Sequence, residues 1–353
     1  MKKTLSIIIS IILLMTNFSI FSYAQNDFRQ VYTGLISDSY EEIMSILDTS
    51  EPSRTLPSRV DNTNDFPTPG NQGAQNSCVG WAVAYALKSN SEYSKRNWSL
   101  ASTKHQFSPA YVYNQIVNGN DGGATISDAV RLLVNQGVCT VTYFPYNEND
   151  YTTQPSAVQS ANANLYKASE CHTIIGINTI KSKIAEGKGV VIGIKVYPDF
   201  RNISSSNMVY DNMSGTMSSN HAICLIGYDD NVGTDGAFKF INSWGTNWGL
   251  NGYGWISYDL VKSAAAVLPN IAVGYYIDFL TTDSYVMGDV DSDGYVSSSD
   301  ARLVLMFTQN LETPTAEQFA LSDVDGDGSV TTADSREILK FSAELIEKFS
   351  LYI

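Results

Sequence analysis

One stretch of the chain joins a reactive residue type to a helix start. From Gln72 to Leu87 it reads Gln-Gly-Ala-Gln-Asn-Ser-Cys-Val-Gly-Trp-Ala-Val-Ala-Tyr-Ala-Leu, a polar loop that turns at Cys78 into a run of good helix formers. Unpaired N–H groups and the dipole at a helix start favour negative charge, which predicts a readily ionised thiol, and the thiolate is a nucleophile. Alone, a cysteine opening an Ala-rich helix is more often a small buried hydrophobe. Choosing a base is simple, because the chain holds three histidines. His221 directly precedes Ala222 to Tyr228, an alternating apolar run expected to be a core strand whose end meets a cleft. His105 lies in a polar loop and His172 beside Cys171, and both read as surface or packed residues. Nineteen residues after His221 begins Phe240-Ile241-Asn242-Ser243-Trp244-Gly245. From a neighbouring strand, the side-chain carbonyl of Asn242 could orient an imidazole that activates a thiol.

A second constellation is acidic and repeated. Asp289-Val-Asp291-Ser-Asp293-Gly294-Tyr295-Val-Ser297-Ser298-Ser299-Asp300 recurs as Asp323-Val-Asp325-Gly-Asp327-Gly328-Ser329-Val-Thr331-Thr332-Ala333-Asp334, with a period of 34 (323 − 289). Oxygen ligands at loop positions one, three, five and twelve, a backbone carbonyl at seven and glycine at six suit Ca²⁺. Asp stands at position twelve where an EF-hand loop has Glu, and no clear helix precedes the first copy.

The elements that must position these groups change character along the chain. A short helix is expected over Asp38 to Leu47. From Cys78 to about Gln136 the pattern is largely helical, with Ser108 as N-cap and Pro109 at the first helical position, and it stops at Gly137. Beyond Gly189 come β-rich runs at Val190 to Val196, Ala222 to Tyr228, Phe238 to Asn242 and Tyr253 to Tyr258. A helical half followed by a β half implies two lobes facing across a cleft. Each acidic loop is expected to run into a helix, Asp300 to Gln309 and Asp334 to Leu345. Leu303, Val304, Phe307, Ile338, Leu339 and Phe341 are the expected core of that small unit.

The formal net charge is −14 over 353 residues, which argues against nucleic acid or an anionic membrane as partner. Residues 286–353 carry 13 Asp+Glu against 4 Lys+Arg, so −9 of the −14 sits with the acidic repeat, suggesting bound divalent cations. At the N-terminus, Lys2 and Lys3, the apolar run Leu5 to Phe21 and the small residues Ser22 and Ala24 read as an export signal, the alternative being an uncleaved anchor. Of four cysteines, Cys139 and Cys171 could pair, but the sequence leaves this open.

On Cys78, His221, Asn242 and the Trp-Gly motifs after them, the chain resembles a papain-family cysteine peptidase over roughly Leu56 to Phe279. The resemblance implies an α+β, two-lobed papain-like domain with a helical lobe and a β lobe. It assigns Cys78 as nucleophile, His221 as general base and acid, and Asn242 as the ring's orienter. Trp244 would cover their hydrogen bond, and Gln72 would donate to the oxyanion hole beside the Cys78 N–H. Gly122, Gly123, Ala222 and Trp244 would line the substrate cleft, and catalysis would need no cofactor. Gln75 and Asn120 stand where many members carry a disulfide.

The acidic repeat resembles a type I dockerin, a small α-helical calcium-binding module that plugs enzymes into cohesin domains of a cellulosome scaffoldin. The resemblance implies two Ca²⁺ sites, at Asp289, Asp291, Asp293, Tyr295 and Asp300 and at Asp323, Asp325, Asp327, Ser329 and Asp334. It places cohesin contacts at Ser298 and Ser299 and at Thr332 and Ala333, where the altered second pair suggests that the two faces are not equivalent. The expected organisation is a signal peptide at 1–24, a short lead at 25–55, a peptidase domain at 56–280, a linker at 281–286 and a dockerin at 287–353. The lead is either a simple leader, the preferred reading, or a minimal pro-segment across the cleft.

The expected protein is a secreted, extracellular cysteine endopeptidase associated with a cellulosome, free of the membrane once its signal is cleaved. A catalytically silent papain-like binding or inhibitor module is the alternative. A polysaccharide hydrolase is suggested only by association with the dockerin, since no paired carboxylates sit in a plausible cleft context.

Overall fold

The computed structural model describes residues 33–52, 55–279 and 283–353. The expected signal peptide and the first part of the lead lie outside the described residues. Residues 33–353 form one unit by their internal contacts.

The sequence's helix signals are realised at the sites that carry them. Helix α1 (Tyr40–Ser45) starts with a reciprocal cap, Ser39 accepting from the Glu42 N–H while Glu42 reaches back to Ser39 N–H. The helix opened by Cys78 is α2, an α stretch Cys78–Gly80, a π stretch Trp81–Lys88 and an α stretch Ser89–Arg96 in succession. Helix α3 (Pro109–Ile116) is capped by Ser108 as expected, and α4 (Ile126–Asn135) by Thr125. Helices α5 (Ala157–Asn164) and α6 (Ile177–Ala185) complete the peptidase-like part that concerns the site.

Eight strands make one sheet: β1 (Arg59–Asp61), β2 (Ala168–Ile175), β3 (Val190–Val196), β4 (Val209–Tyr210), β5 (Ser219–Asp229), β6 (Ala237–Ile241), β7 (Tyr253–Ser257) and β8 (Val273–Phe279). Their order is β2-β8-β3-β5-β6-β7-β4, with β1 paired to β5. Strand β5 is central and buried on both faces. Ala222, Cys224 and Ile226 point into the core shared with α2, and Ile223, Leu225 and Tyr228 into a second core on the far side. Up to the bulge between Leu225 and Gly227 that alternation fixes register, and a one-residue slip would exchange the two faces of β5.

Three features go beyond or against the sequence reading. Strands β2 and β8 were not read from the sequence; β2 carries Ser169, Glu170 and His172 among its apolar residues, which blurs the alternation. The expected linker is anchored at Asp283. Asp283 pairs with Lys95 at 2.5 Å and with Arg96 at 2.9 Å, tying the chain to the end of α2. Leu339, expected in the core, is half exposed.

The C-terminal unit holds α7 (Ser298–Thr308), α8 (Ala316–Ser322) and α9 (Thr332–Ser342). Helices α7 and α9 start at equivalent points of the repeat, each with a capping box, Ser297 with Asp300 and Thr331 with Asp334. Its buried Val290, Val304, Leu321, Val324 and Ile338 belong to the same continuous core as Phe107, Tyr111 and Val130 of the helical lobe. All four cysteines are free, so the open Cys139–Cys171 pairing is not made. Gln75, standing at a usual cysteine position, instead donates from Nε2 to the carbonyls of Asn147, Glu148 and Asp150 at 3.2–3.5 Å.

Candidate functional site

Cys78 and His221 are brought together by the contact between the start of α2 and the start of β5. Both are fully buried. The backbone of Ala222, next to His221, acts on the Cys78 thiol, favouring its ionised form. His221 Nε2 lies 2.8 Å from Asn242 Oδ1, which also accepts from the Ser243 N–H at 2.8 Å, so the amide oxygen is fixed from two sides. With Asn242 accepting, Nε2 carries the proton and Nδ1 is the lone-pair nitrogen. Nδ1 is buried and has no hydrogen-bond partner. The Trp244 ring lies 4.9 Å from the imidazole, tilted by 31°, and Phe200 approaches from another side at 5.8 Å. These rings screen the His221–Asn242 bond from water.

Gln72 is fully buried. Its Oε1 accepts from Ser243 Oγ at 2.7 Å, while Nε2 donates to the Gln75 carbonyl at 2.8 Å and the Thr33 carbonyl at 3.4 Å. The Thr33 carbonyl also accepts from the Cys78 N–H at 3.2 Å. One oxygen from the N-terminal lead therefore meets both donors that the sequence reading aimed at an oxyanion.

The lead continues along the cleft residues. Ala124 N–H donates to the Gly34 carbonyl and Ile36 N–H to the Ala124 carbonyl, both at 2.8 Å, in a parallel bridge beside Gly122 and Gly123. Gly34 has φ +88°, and a Cβ there would meet the Asn76 carbonyl oxygen at 1.9 Å. Gly123 faces it with φ +93°, and a Cβ would meet the Gly34 carbonyl oxygen at 2.2 Å. Two glycines let the two backbones touch. The segment of the lead from Thr33 to Ile36 thus lies against Cys78 and Ala124. The sequence carried no signal for this beyond a glycine in a polar stretch.

The expected low-pKa thiol is likewise corrected. Burial pushes the Cys78 thiol up to about 12, against the opposing pull of the Ala222 and Val79 N–H groups. Burial also pushes His221 down to about 4, against the Asn242 hydrogen bond. The pair is neutral beneath the lead. Ala222, expected as a pocket wall, is buried here, Gly123 is covered by Gly34, and Gly122 and part of Trp244 stay accessible. The other two histidines are placed as expected. His105 is packed between the carbonyls of Ser99 and Leu351, and His172 stacks on Tyr276.

In the acidic repeat, carboxylate oxygens of Asp289, Asp291 and Asp293 lie within 4.8 Å of one another, as do those of Asp323, Asp325 and Asp327. Asp300 and Asp334 are fully buried at position twelve and accept the N–H groups of Val290 and Val324, tying each loop to its helix. Tyr295 and Ser329, at position seven, donate their N–H to Asp293 and Asp327. Burial raises Asp323 to about 7 and Asp334 to about 6. An all-oxygen set of crowded carboxylates is the arrangement a hard divalent cation neutralises. Ser298, Ser299 and Thr332 are exposed at the starts of α7 and α9, and Ala333 is half-buried. Four leucines on this unit are exposed, and the sequence reading named only Leu339 among them, as core. Leu305 and Leu339, and likewise Leu311 (71 %) and Leu345 (74 %), are 34 residues apart.

The family model described as papain family cysteine protease matches residues 56–267, and the dockerin type I domain model matches residues 287–340. A peptidase C1-like protein of Acanthamoeba polyphaga mimivirus is 26 % identical over 234 residues, covering 61 % of this chain and 70 % of its own. Peptidase 1 of Dermatophagoides pteronyssinus is 26 % identical over 195 residues, covering 54 % of this chain and 57 % of its own length. Among solved structures, xylellain, a cysteine protease from Xylella fastidiosa, superposes with a TM-score of 0.59 at 23 % identity, covering 71 % of this chain and 97 % of that one. The bromelain protease from Ananas comosus gives 0.51 at 18 %, covering 64 % and 100 %. These structural likenesses carry the fold.

Proposed function

The chain belongs to the papain family of cysteine proteases and carries a dockerin domain, and on that premise we propose that it is a latent endopeptidase whose catalytic groups are Cys78, His221, Asn242 and Gln72. The observation that carries the reading is His221 held at Nε2 by Asn242, with Nδ1 buried and unpartnered, directly before Ala222, whose backbone acts on the Cys78 thiol. With the cleft open, Nδ1 takes the thiol proton and the thiolate attacks a peptide carbonyl carbon. The resulting oxyanion accepts from the Cys78 N–H and Gln72 Nε2, the two donors now meeting Thr33. His221 returns its proton to the leaving nitrogen as the C–N bond breaks, leaving a thioester. A water molecule, deprotonated by His221, then releases the acid and restores the thiol.

The segment from Thr33 to Ile36 supports latency. Its carbonyl stands in for the oxyanion, and its backbone pairs with Ala124 where a substrate would lie along Gly122 and Gly123. Removing it lets water and substrate reach Cys78.

The dockerin domain gives the second half of the proposal. The carboxylate groups at 289–300 and 323–334 suit two calcium ions, with Asp289, Asp291 and Asp293 and Asp323, Asp325 and Asp327 as the clustered ligands. Tyr295 and Ser329 would add their carbonyls, and Asp300 and Asp334 close each loop. Dockerins bind cohesins, so the partner is a scaffoldin cohesin met by Ser298 and Ser299 or by Thr332 and Ala333, with the exposed leucines alongside. Export to a cellulosome follows from that partner and from the basic-then-apolar N-terminus. No described helix is long and apolar enough to cross a membrane.

The test is the pH profile of Cys78 alkylation in a chain that begins after Ile36, read by peptide mass spectrometry. Rapid reaction well below a free thiol's pKa of about 8.5, lost in His221→Ala, supports the thiolate–imidazolium pair. An inert Cys78 in the opened chain sinks the peptidase reading in favour of a silent binding module.

A further inference from the structure

The two acidic loops are 34 residues apart and equivalent in sequence, so each serves as a control for the other. In the first, the Asp289 carboxylate accepts only from its own loop, from Asp293 N–H at 3.1 Å and Gly294 N–H at 3.0 Å. In the second, Asp323 accepts from the N–H groups of Gly326, Asp327 and Gly328 at 2.9–3.1 Å. It also accepts at Oδ2, 2.5 Å away, from the hydroxyl of Tyr143, a residue 180 positions earlier in the peptidase domain.

Tyr143 is itself held in place. Its N–H donates to the Thr140 carbonyl, and its carbonyl accepts from Gln159 Nε2 of α5 at 2.8 Å. The surrounding surface belongs to the same contact. Lys104 Nζ donates to the carbonyls of Asp325 at 3.3 Å and Ser350 at 2.7 Å, and a Cβ on Gly328 would meet the Thr142 methyl at 3.2 Å. Among the described residues no peptidase-domain side chain hydrogen-bonds the first loop, and Asp291, Asp293 and Tyr295 are all exposed.

A carboxylate that ligates a metal is oriented by hydrogen bonds to its other oxygen, and those outer partners govern affinity. We propose that Tyr143 of the peptidase domain is a positioning residue for calcium at the second dockerin loop, so that this site is completed across the domain boundary while the first is self-contained. The inference rests on the reading of residues 323–334 as a calcium loop. By linkage, calcium at that loop must in turn tighten the contact that Tyr143 makes.

The experiment uses the full chain with Cys78→Ala to prevent self-cleavage, titrated with calcium alone by calorimetry. The loops are assigned through Asp291→Ala and Asp325→Ala. Tyr143→Phe, which keeps the ring, is expected to weaken the second site by about 10–100-fold and to leave the first unchanged. As a measurement independent of that variant, calcium added to the Cys78→Ala parent is expected to slow amide exchange over residues 142–144. Two calcium affinities untouched by Tyr143→Phe, or exchange at 142–144 indifferent to calcium, would overturn the inference alone. A second loop that takes up no calcium in the parent would remove the calcium reading of that loop as well.

Discussion

The carbonyl oxygen of Thr33 accepts the backbone N–H of Cys78 at 3.2 Å, satisfying a helix-start donor with a residue from the lead. Gly34, the next residue, tolerates the approach because it has no side chain at φ +88°. Gly34→Val should therefore loosen the lead without touching the catalytic groups. The left-handed backbone alone costs a β-carbon about 1–2 kcal/mol, enough to raise Cys78 alkylation at neutral pH about tenfold. An unchanged alkylation rate would mean that the lead does not guard the thiol.

Latency should depend on pH through the neutral pair. His221 has its pKa lowered to about 4 against an ordinary 6.5, and Cys78 raised to about 12 against 9.0, each by burial first. Below pH 6.5 the unfolded chain protonates His221 while the folded one resists until about 4, so stability falls as pH drops through that window. Above 9.0 the unfolded Cys78 ionises while the folded one does not, so stability falls again as pH rises. The urea midpoint of the uncleaved chain should peak between these values. His221→Leu should flatten the decline between pH 6.5 and 5, and an unaltered decline would assign it to other groups.

Gln72 should act on the rate rather than on binding. In the chain opened after Ile36, Gln72→Ala is expected to lower kcat about 10²–10³-fold with little change in KM. Asn242→Ala should instead shift the pH profile of kcat/KM, because it frees the His221 ring to turn. A Gln72→Ala effect confined to KM would place its amide on the substrate rather than on the oxyanion.

The helix that carries Cys78 ends in a buried ion cluster. Glu92 pairs with the fully buried Lys88 at 2.6 Å and with Arg96 at 2.7 Å, and Arg96 goes on to Asp283 at 2.9 Å. Glu92→Leu leaves Lys88 charged, buried and unpaired, which should cost about 3–5 kcal/mol in urea unfolding. A loss of under about 1 kcal/mol, typical of an exposed pair, would show that water reaches Lys88 freely.

The proposed catalytic set was legible because its chemistry needs fixed residue types, and three histidines leave few choices. His221 and Asn242 are joined by a hydrogen bond, and α7 and α9 follow the repeat. The contact of the lead with Cys78 was not legible because a carbonyl that reaches an N–H has no side-chain signature; Thr33 could have been nearly any residue. The thiol's state was misjudged for a related reason. A helix start predicts an acidic thiol only while solvent reaches it, and burial outweighs the dipole here. Tyr143 was unreadable too, since a tyrosine after Val141-Thr142 announces no partner 180 residues away. Leu339 failed on periodicity, which cannot distinguish a core face from one kept for a partner.

The core that runs unbroken from Phe107 to Val304 and Ile338 has a mechanical consequence. A protease hung from a slack tether sweeps a volume around its anchor and cuts whatever diffuses into it. Here Asp283 is bolted to Lys95 and Arg96 at the end of the helix that Cys78 begins. Once α7 or α9 is gripped by a scaffold, the bearing of the cleft is set to within the stiffness of that shared core. A protease so held has an address rather than a range.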